Sequence, residues 1–189
     1  MGKTLYVGGD DSNHAGDSTG EFIVACFSFN RDDSIVRPWP NTRNYSLFQA
    51  WMRSPERDYR FTVRKAEQYR KSGLNLPIVL PCLISDFLET TEDVEQVNVY
   101  LDGALNGDAK HQLREECLTF PGVKHVVIDN FLKKRQLDRR SARKCIQKRP
   151  LCPRLVYMAD VVANHLYFTN KGLINLINDK KLVRGNGLF

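Results

Sequence analysis

The chain has 189 residues, 42% of them hydrophobic and 26% charged, which excludes a disordered or fibrous chain and suits one well-cored domain spanning 1–189. No apolar run approaches the ~20 residues of a membrane helix, and the opening Met1-Gly2-Lys3-Thr4-Leu5-Tyr6-Val7 lacks the apolar core of a signal peptide. The formal net charge is +6, which directs attention to anionic partners.

Leu5 to Gly9 is a short apolar run that ends in glycines and then in Asp10, so a strand stopping at that aspartate is predicted. The stretch from Ser12 to Gly20 is turn chemistry, and Glu21 to Asn30 is a second strand rich in β-branched and aromatic residues. Pro38 and Pro40 interrupt the chain before a short helix predicted over Asn44 to Met52. Tyr59 to Arg64 alternates as a third strand. Leu76 to Leu88 is apolar and fits either a helix or a strand, but Asp86-Phe87-Leu88-Glu89 suits a helix end better, and Pro77 and Pro81 restrict how that helix begins. Val97 to Asp102 is a strand ending on a second aspartate, and Asp108 to Leu118 is a helix with Asp108 as a fair N-cap. Val123 to Ile128 is another strand. Finally, Leu155, Met158, Val162 and Leu166 recur at helical spacing within Pro153 to Thr169. Three early strands followed by alternating helices and strands predict an α/β domain, a mixed sheet covered by helices.

Charge is concentrated rather than spread. Between Lys133 and Arg154 lie ten basic residues (Lys133, Lys134, Arg135, Arg139, Arg140, Arg143, Lys144, Lys148, Arg149 and Arg154) against the single acid Asp138. The rest of the chain is slightly acidic. Such a segment attracts a polyanion, with DNA or RNA foremost, because phosphate contacts give affinity without reading sequence. A solvated charged face is the plainer alternative. A milder basic cluster runs from Arg53 to Lys71, interleaved with Glu56, Asp58 and Glu67. The cysteines (Cys26, Cys82, Cys117, Cys145, Cys152) are odd in number, widely spaced and form no CxxC pair, which reads as free thiols in a reducing, cytoplasmic setting.

Two predicted strands end in aspartates, Asp10 and Asp102, and a third aspartate, Asp160, sits in the apolar helix sequence Leu155-Val156-Tyr157-Met158-Ala159-Asp160-Val161-Val162-Ala163. A strand-end aspartate often forms a turn, and Asp160 alone would suit a cap or an arginine partner. Together, two strand-end carboxylates and one helix carboxylate can converge on hard divalent cations, which take oxygen ligands. Two such ions can activate a water and stabilise both oxygens of a phosphodiester under attack.

The segment Tyr6-Val7-Gly8-Gly9-Asp10-Asp11-Ser12-Asn13 resembles the strand-end Asp-Glu-Ser-Gly motif of an uncharacterised ribonuclease H-like family. Val99-Tyr100-Leu101-Asp102 and Tyr157-Met158-Ala159-Asp160-Val161-Val162-Ala163 are similar to that family's other two acidic motifs, and the order agrees from residue 4 to about 168. Asp11 stands where the family tends to have Glu, and Asn13 where it tends to have Gly. The resemblance implies a ribonuclease H-like mixed β-sheet flanked by helices and metal-dependent cleavage of nucleic acid. On that mapping Asp10, Asp102 and Asp160 are the catalytic residues and the ligands of Mg²⁺ or Mn²⁺. A fourth carboxylate is common in the wider superfamily; Asp86, Glu67, Asp108 and Asp11 are the candidates here.

The resulting expectation is a nuclease acting on DNA or RNA, a 3′–5′ exonuclease on single strands being one form. Lys133, Lys134, Arg135, Arg139, Arg140, Arg143, Lys144, Lys148 and Arg149 would bind the nucleic acid. The alternative is a non-catalytic nucleic-acid-binding protein of the same fold. Asn164, one helical turn after Asp160, is read as pairing with a backbone group in preference to assisting a metal. His14 is a candidate proton carrier or substrate contact, and His165 is expected to face away from Asp160. Tyr6, Trp39, Tyr45, Phe48 and Trp51 are candidates for base stacking, though core packing is the commoner use of such residues. No P-loop, HExxH, GxSxG or GxGxxG motif is present.

Overall fold

The computed structural model describes residues 2–11, 21–31, 58–64, 76–101, 105–130, 154–169 and 181–183. In chain order these form β1 (Lys3–Asp11), β2 (Glu21–Ser28), β3 (Asp58–Arg64), α1 (Leu76–Leu88), β4 (Val94–Leu101), α2 (Gly107–Leu118), β5 (His125–Asn130) and α3 (Arg154–Thr169). The strands make one five-stranded sheet in the order β3-β2-β1-β4-β5. β1 pairs antiparallel with β2, and β2 with β3, whereas β4 and β5 run parallel to β1. This is the α/β arrangement, a mixed sheet flanked by helices, that the order of elements leads one to expect.

Alternation along the strands builds two cores. Leu5 and Val7 of β1, Ile23, Ala25 and Phe27 of β2, and Val97, Val99 and Leu101 of β4 point to one face, where Val79, Leu80, Leu83, Ile84 and Phe87 of α1 and Leu113 and Cys117 of α2 cover them. On the other face Phe22, Val24 and Cys26 of β2 and Tyr59, Phe61 and Val63 of β3 pack with Leu155, Met158, Ala159, Val162, Ala163 and Leu166 of α3. The helical spacing of those α3 residues gives a continuous apolar stripe, so burial rather than propensity holds the helix.

Several boundaries differ from the sequence reading. β1 continues through Asp10 to Asp11, because its pairing with β2 extends to Asp11↔Ile23. α1 keeps the expected bounds, beginning at Leu76 despite its prolines. Pro77 lies in the first turn, where no N–H partner is needed, and Pro81 forfeits one main-chain bond inside a helix anchored by five buried side chains. The cap of α2 is Asn106, not Asp108: its side chain accepts a hydrogen bond from the Ala109 amide at 2.7 Å. Asp108 sits instead in the first turn, where the helix dipole favours an acid. β5 starts two residues later than expected, since Gly122 adopts a positive φ of 85° and Val123 closes the turn onto the Phe120 carbonyl. The helix expected over Asn44 to Met52 lies outside the described residues.

Beyond the main elements, residues 181–183 line the outer edge of β3. The Phe61 amide donates to the Lys181 carbonyl at 3.0 Å, and the Val183 amide to the Phe61 carbonyl at 2.9 Å. Among the described residues no helix is long and apolar enough to cross a membrane.

Candidate functional site

The feature that organises the site is a glycine. A β-carbon on Gly8 would collide with the Leu155 carbonyl carbon and the Val156 amide nitrogen, so the first turn of α3 rests directly on the backbone of β1. Only glycine permits strand and helix main chains to approach so closely. Ala159 and Ala163, both fully buried, keep the packing tight further along the helix.

From that crossing two carboxylates depart. Asp10 lies two residues beyond Gly8 on β1, a step of about 7 Å. Asp160 lies four to five residues beyond Leu155 and Val156 on α3, a rise of about 6–7.5 Å. Strand alternation puts Tyr6, Gly8 and Asp10 on the α3 face, and the cross-strand partner of Asp10, Val24, belongs to the core under α3. Asp10 and Asp160 therefore occupy the same layer of the molecule, and both are half-buried. Asp160 stands on the flank of the helix, just outside its buried stripe.

Each carboxylate has an oxygen held by an N–H donor. Asp10 Oδ1 accepts from the Asp11 main-chain amide at 2.9 Å. Asp160 Oδ1 accepts from the side-chain amide of Asn164 at 2.7 Å, and the same Nδ2 also donates to the Asp160 carbonyl at 2.9 Å. Asn164 thus makes the expected backbone hydrogen bond and, in addition, holds the carboxylate itself. The second bond corrects the expectation of a backbone partner alone, because the one side chain serves both oxygens.

The third aspartate, Asp102, lies outside the described residues. The register leads up to it: Leu101 is the last residue of β4 and pairs with Gly9, and Asp102 and Asp10 follow these two in the sequence. Lys133, Lys134, Arg135, Arg139, Arg140, Arg143, Lys144, Lys148 and Arg149 lie outside the described residues too, as do His14, Trp39, Tyr45, Phe48, Trp51 and Glu67. Among the described residues no three His, Cys, Asp or Glu side chains cluster as a metal site.

Three other expectations are resolved. Asp86 lies on α1, on the sheet face opposite Asp10, where it accepts from Arg60 Nε at 2.5 Å. Arg60, a member of the 53–71 basic cluster, is buried; it also pairs with Asp58 at 2.7 Å and stacks over the Phe87 ring. Its charge is spent inside the protein and does not face a phosphate backbone. His165 sits on the opposite flank of α3 from Asp160, half-buried, and burial lowers its pKa from the ordinary value.

Among the described residues, the two buried thiols contribute no nucleophile. Burial pushes the Cys26 thiol far up, with Lys181 opposing and Asp58 and Asp10 adding to the rise, and burial carries Cys117 up to about 12. Both stay protonated at neutral pH. A separate cleft of about 630 Å³, bordered by Glu89, Glu92, Asp93, Glu95, Phe120 and Lys124, opens at the start of β4. It is at the opposite end of the sheet from Asp10, since Val94 pairs with Lys3.

No protein-family model matches the chain, and no curated protein matches it either. Among solved structures it is similar to a chain of the PCNA:RNase HII complex from Archaeoglobus fulgidus, with 10% identity and a TM-score of 0.47, over 86% of this chain and 71% of that one. It is also similar to the human cytomegalovirus terminase nuclease domain in a Mn-soaked, inhibitor-bound form, with 12% identity and a TM-score of 0.34, over 87% and 83% of the two chains.

Proposed function

We propose that the protein is a divalent-metal-dependent nuclease that hydrolyses phosphodiester bonds in DNA or RNA, with Asp10, Asp102 and Asp160 as its catalytic, metal-binding carboxylates. The observation that supports this most is the crossing at Gly8, from which Asp10 and Asp160 leave by nearly equal steps in one layer of the fold. The in-register pairing of Gly9 with Leu101 adds to it, because the next residue along each chain is an aspartate.

The donor set fits Mg²⁺ or Mn²⁺. Half-buried carboxylates on a strand and a helix offer hard oxygen ligands, and each has one oxygen held by a neutral N–H group. When bound, such ions lower the pKa of water and stabilise charge on the oxygens of the scissile phosphodiester. The chain's own contribution is placement. Asp10 rides on a strand paired on both sides, and Asp160 on a helix locked by the close approach at Gly8. Lys133, Lys134, Arg135, Arg139, Arg140, Arg143, Lys144, Lys148 and Arg149 would hold the phosphate backbone with little reading of base edges.

Degradation of end-labelled single- and double-stranded DNA and RNA tests the proposal, with Mg²⁺, Mn²⁺ or EDTA and with Asp10→Asn, Asp102→Asn and Asp160→Asn beside the wild type. Cleavage that needs the metal and falls at least about 100-fold in each variant is expected, a loss of the size seen when preorganised charge is removed from a site. A ladder shortening from the 3′ end would give the 3′–5′ exonuclease form, and internal cuts an endonuclease. Tight binding without cleavage of any substrate under either metal would overturn the nuclease and leave a nucleic-acid-binding protein.

A further inference from the structure

We infer that Asn164 is a positioning residue that sets the orientation of the Asp160 carboxylate for cation binding; this rests on the nuclease reading above, in which Asp160 is a metal ligand. A helical side chain leans toward the N-terminus of its helix, so a residue at i+4 lies over residue i. Asn164 uses that geometry twice from one atom, with Nδ2 2.7 Å from Asp160 Oδ1 and 2.9 Å from the Asp160 carbonyl. Both acceptors are oxygens, so the amide must present its NH₂ group; turning it over would set oxygen against oxygen.

The two bonds do different work. The bond to the carbonyl fixes the amide, since that carbonyl is part of the helix main chain and cannot move. The bond to Oδ1 then transfers this fixed position to the carboxylate, whose terminal torsion has a broad intrinsic range. A neutral donor suits the task better than lysine or arginine, because it orients the carboxylate without contributing a charge of its own. Asn164 is half-buried and outside the apolar stripe of α3, so packing does not demand an amide there. An i,i+4 pair of this kind adds little to helix stability, whereas an outer partner of a metal ligand governs affinity strongly.

Mn²⁺ binding to the whole chain, without nucleic acid, gives a direct readout by water-proton relaxation or calorimetry. Asn164→Ala is the main variant, because alanine keeps the helix; Asn164→Leu is the second. Both are expected to weaken Mn²⁺ binding by about 10- to 100-fold, with the circular dichroism spectrum and melting temperature close to wild type. Binding of single-stranded DNA in EDTA should be unchanged in both. Asp160→Asn is the control that separates the two claims. Mn²⁺ affinity lost in Asp160→Asn but retained in Asn164→Ala and Asn164→Leu would overturn the positioning role alone. Affinity unaltered in Asp160→Asn as well would remove Asp160 from the metal site, and the nuclease reading of that residue with it.

Discussion

Two sets of acidic side chains in this molecule are treated in opposite ways. At the β3 edge, Asp58 and Asp86 close on Arg60 at 2.7 and 2.5 Å, with Lys181 a further 3.5 Å from Asp58. At the β1–α3 crossing, Asp10 and Asp160 each accept from a neutral N–H group, the Asp11 amide and the Asn164 side chain. A guanidinium between two carboxylates satisfies charge and ties β3 to α1. A neutral donor fixes the direction of a carboxylate oxygen without adding a charge of its own. The first arrangement ties two elements together; the second is the one compatible with the cation site proposed above.

The comparison depends on the crossing, and breaking it should have the largest effect. Gly8→Ala sets a β-carbon against the Leu155 and Val156 main chain, where no rotamer change can relieve it. We expect a loss of about 3 kcal/mol or more, the upper range for overpacking, measured by urea unfolding. A variant as stable as wild type would mean that α3 is free to lift off β1. Arg60→Met probes the structural set. It removes charge-assisted bonds to two carboxylates that are themselves over a third exposed and can rehydrate, so about 2 kcal/mol of destabilisation is expected.

The same contrast sharpens the assignment of the basic residues. Lys148→Gln with Arg149→Gln should weaken nucleic-acid binding and flatten its salt dependence, by up to about 0.9 in the log–log slope for each duplex phosphate the protein no longer neutralises. Arg60→Met, once folded, should leave that slope unchanged. A slope that falls with Arg60→Met would place this arginine at the nucleic-acid interface and contradict its burial.

Much of the fold was legible from pattern alone. The apolar alternation of β2 and β3 and the spacing of Leu155, Met158, Val162 and Leu166 are local signals, and the elements followed them. What pattern does not contain is which charges meet. Arg60 sits in the milder basic cluster from Arg53 to Lys71, yet the strand that carries it is buried, and its partner Asp86 waits 26 residues away on α1. Gly8-Gly9 within a strand did carry a usable signal, since glycine in a strand interior marks a close backbone approach. Asn164 was visible as a neighbour of Asp160 at helical spacing. That it reaches both the carbonyl and the carboxylate depends on side-chain direction, which spacing leaves open.

The smallest expected effect concerns pH and tests whether the Asp58 end of the contrast is electrostatic at all. Burial pushes the Asp58 pKa up, but the hydrogen bond and charge of Arg60, with Lys181 and the Tyr59 amide, outweigh it and hold the carboxyl below its ordinary 3.8. A carboxyl depressed in the folded state binds fewer protons there than in the unfolded chain. Its contribution to stability is therefore complete above pH 3.8 and is lost as pH falls through the folded value. Asp58 is 36% exposed, so water screens much of this contribution. Asp58→Asn should lower the melting temperature slightly at pH 7, and the gap from wild type should narrow below pH 3.8. A gap that stays constant across that window would show that Asp58 acts through its hydrogen bonds alone, and Arg60 would then be held chiefly by Asp86.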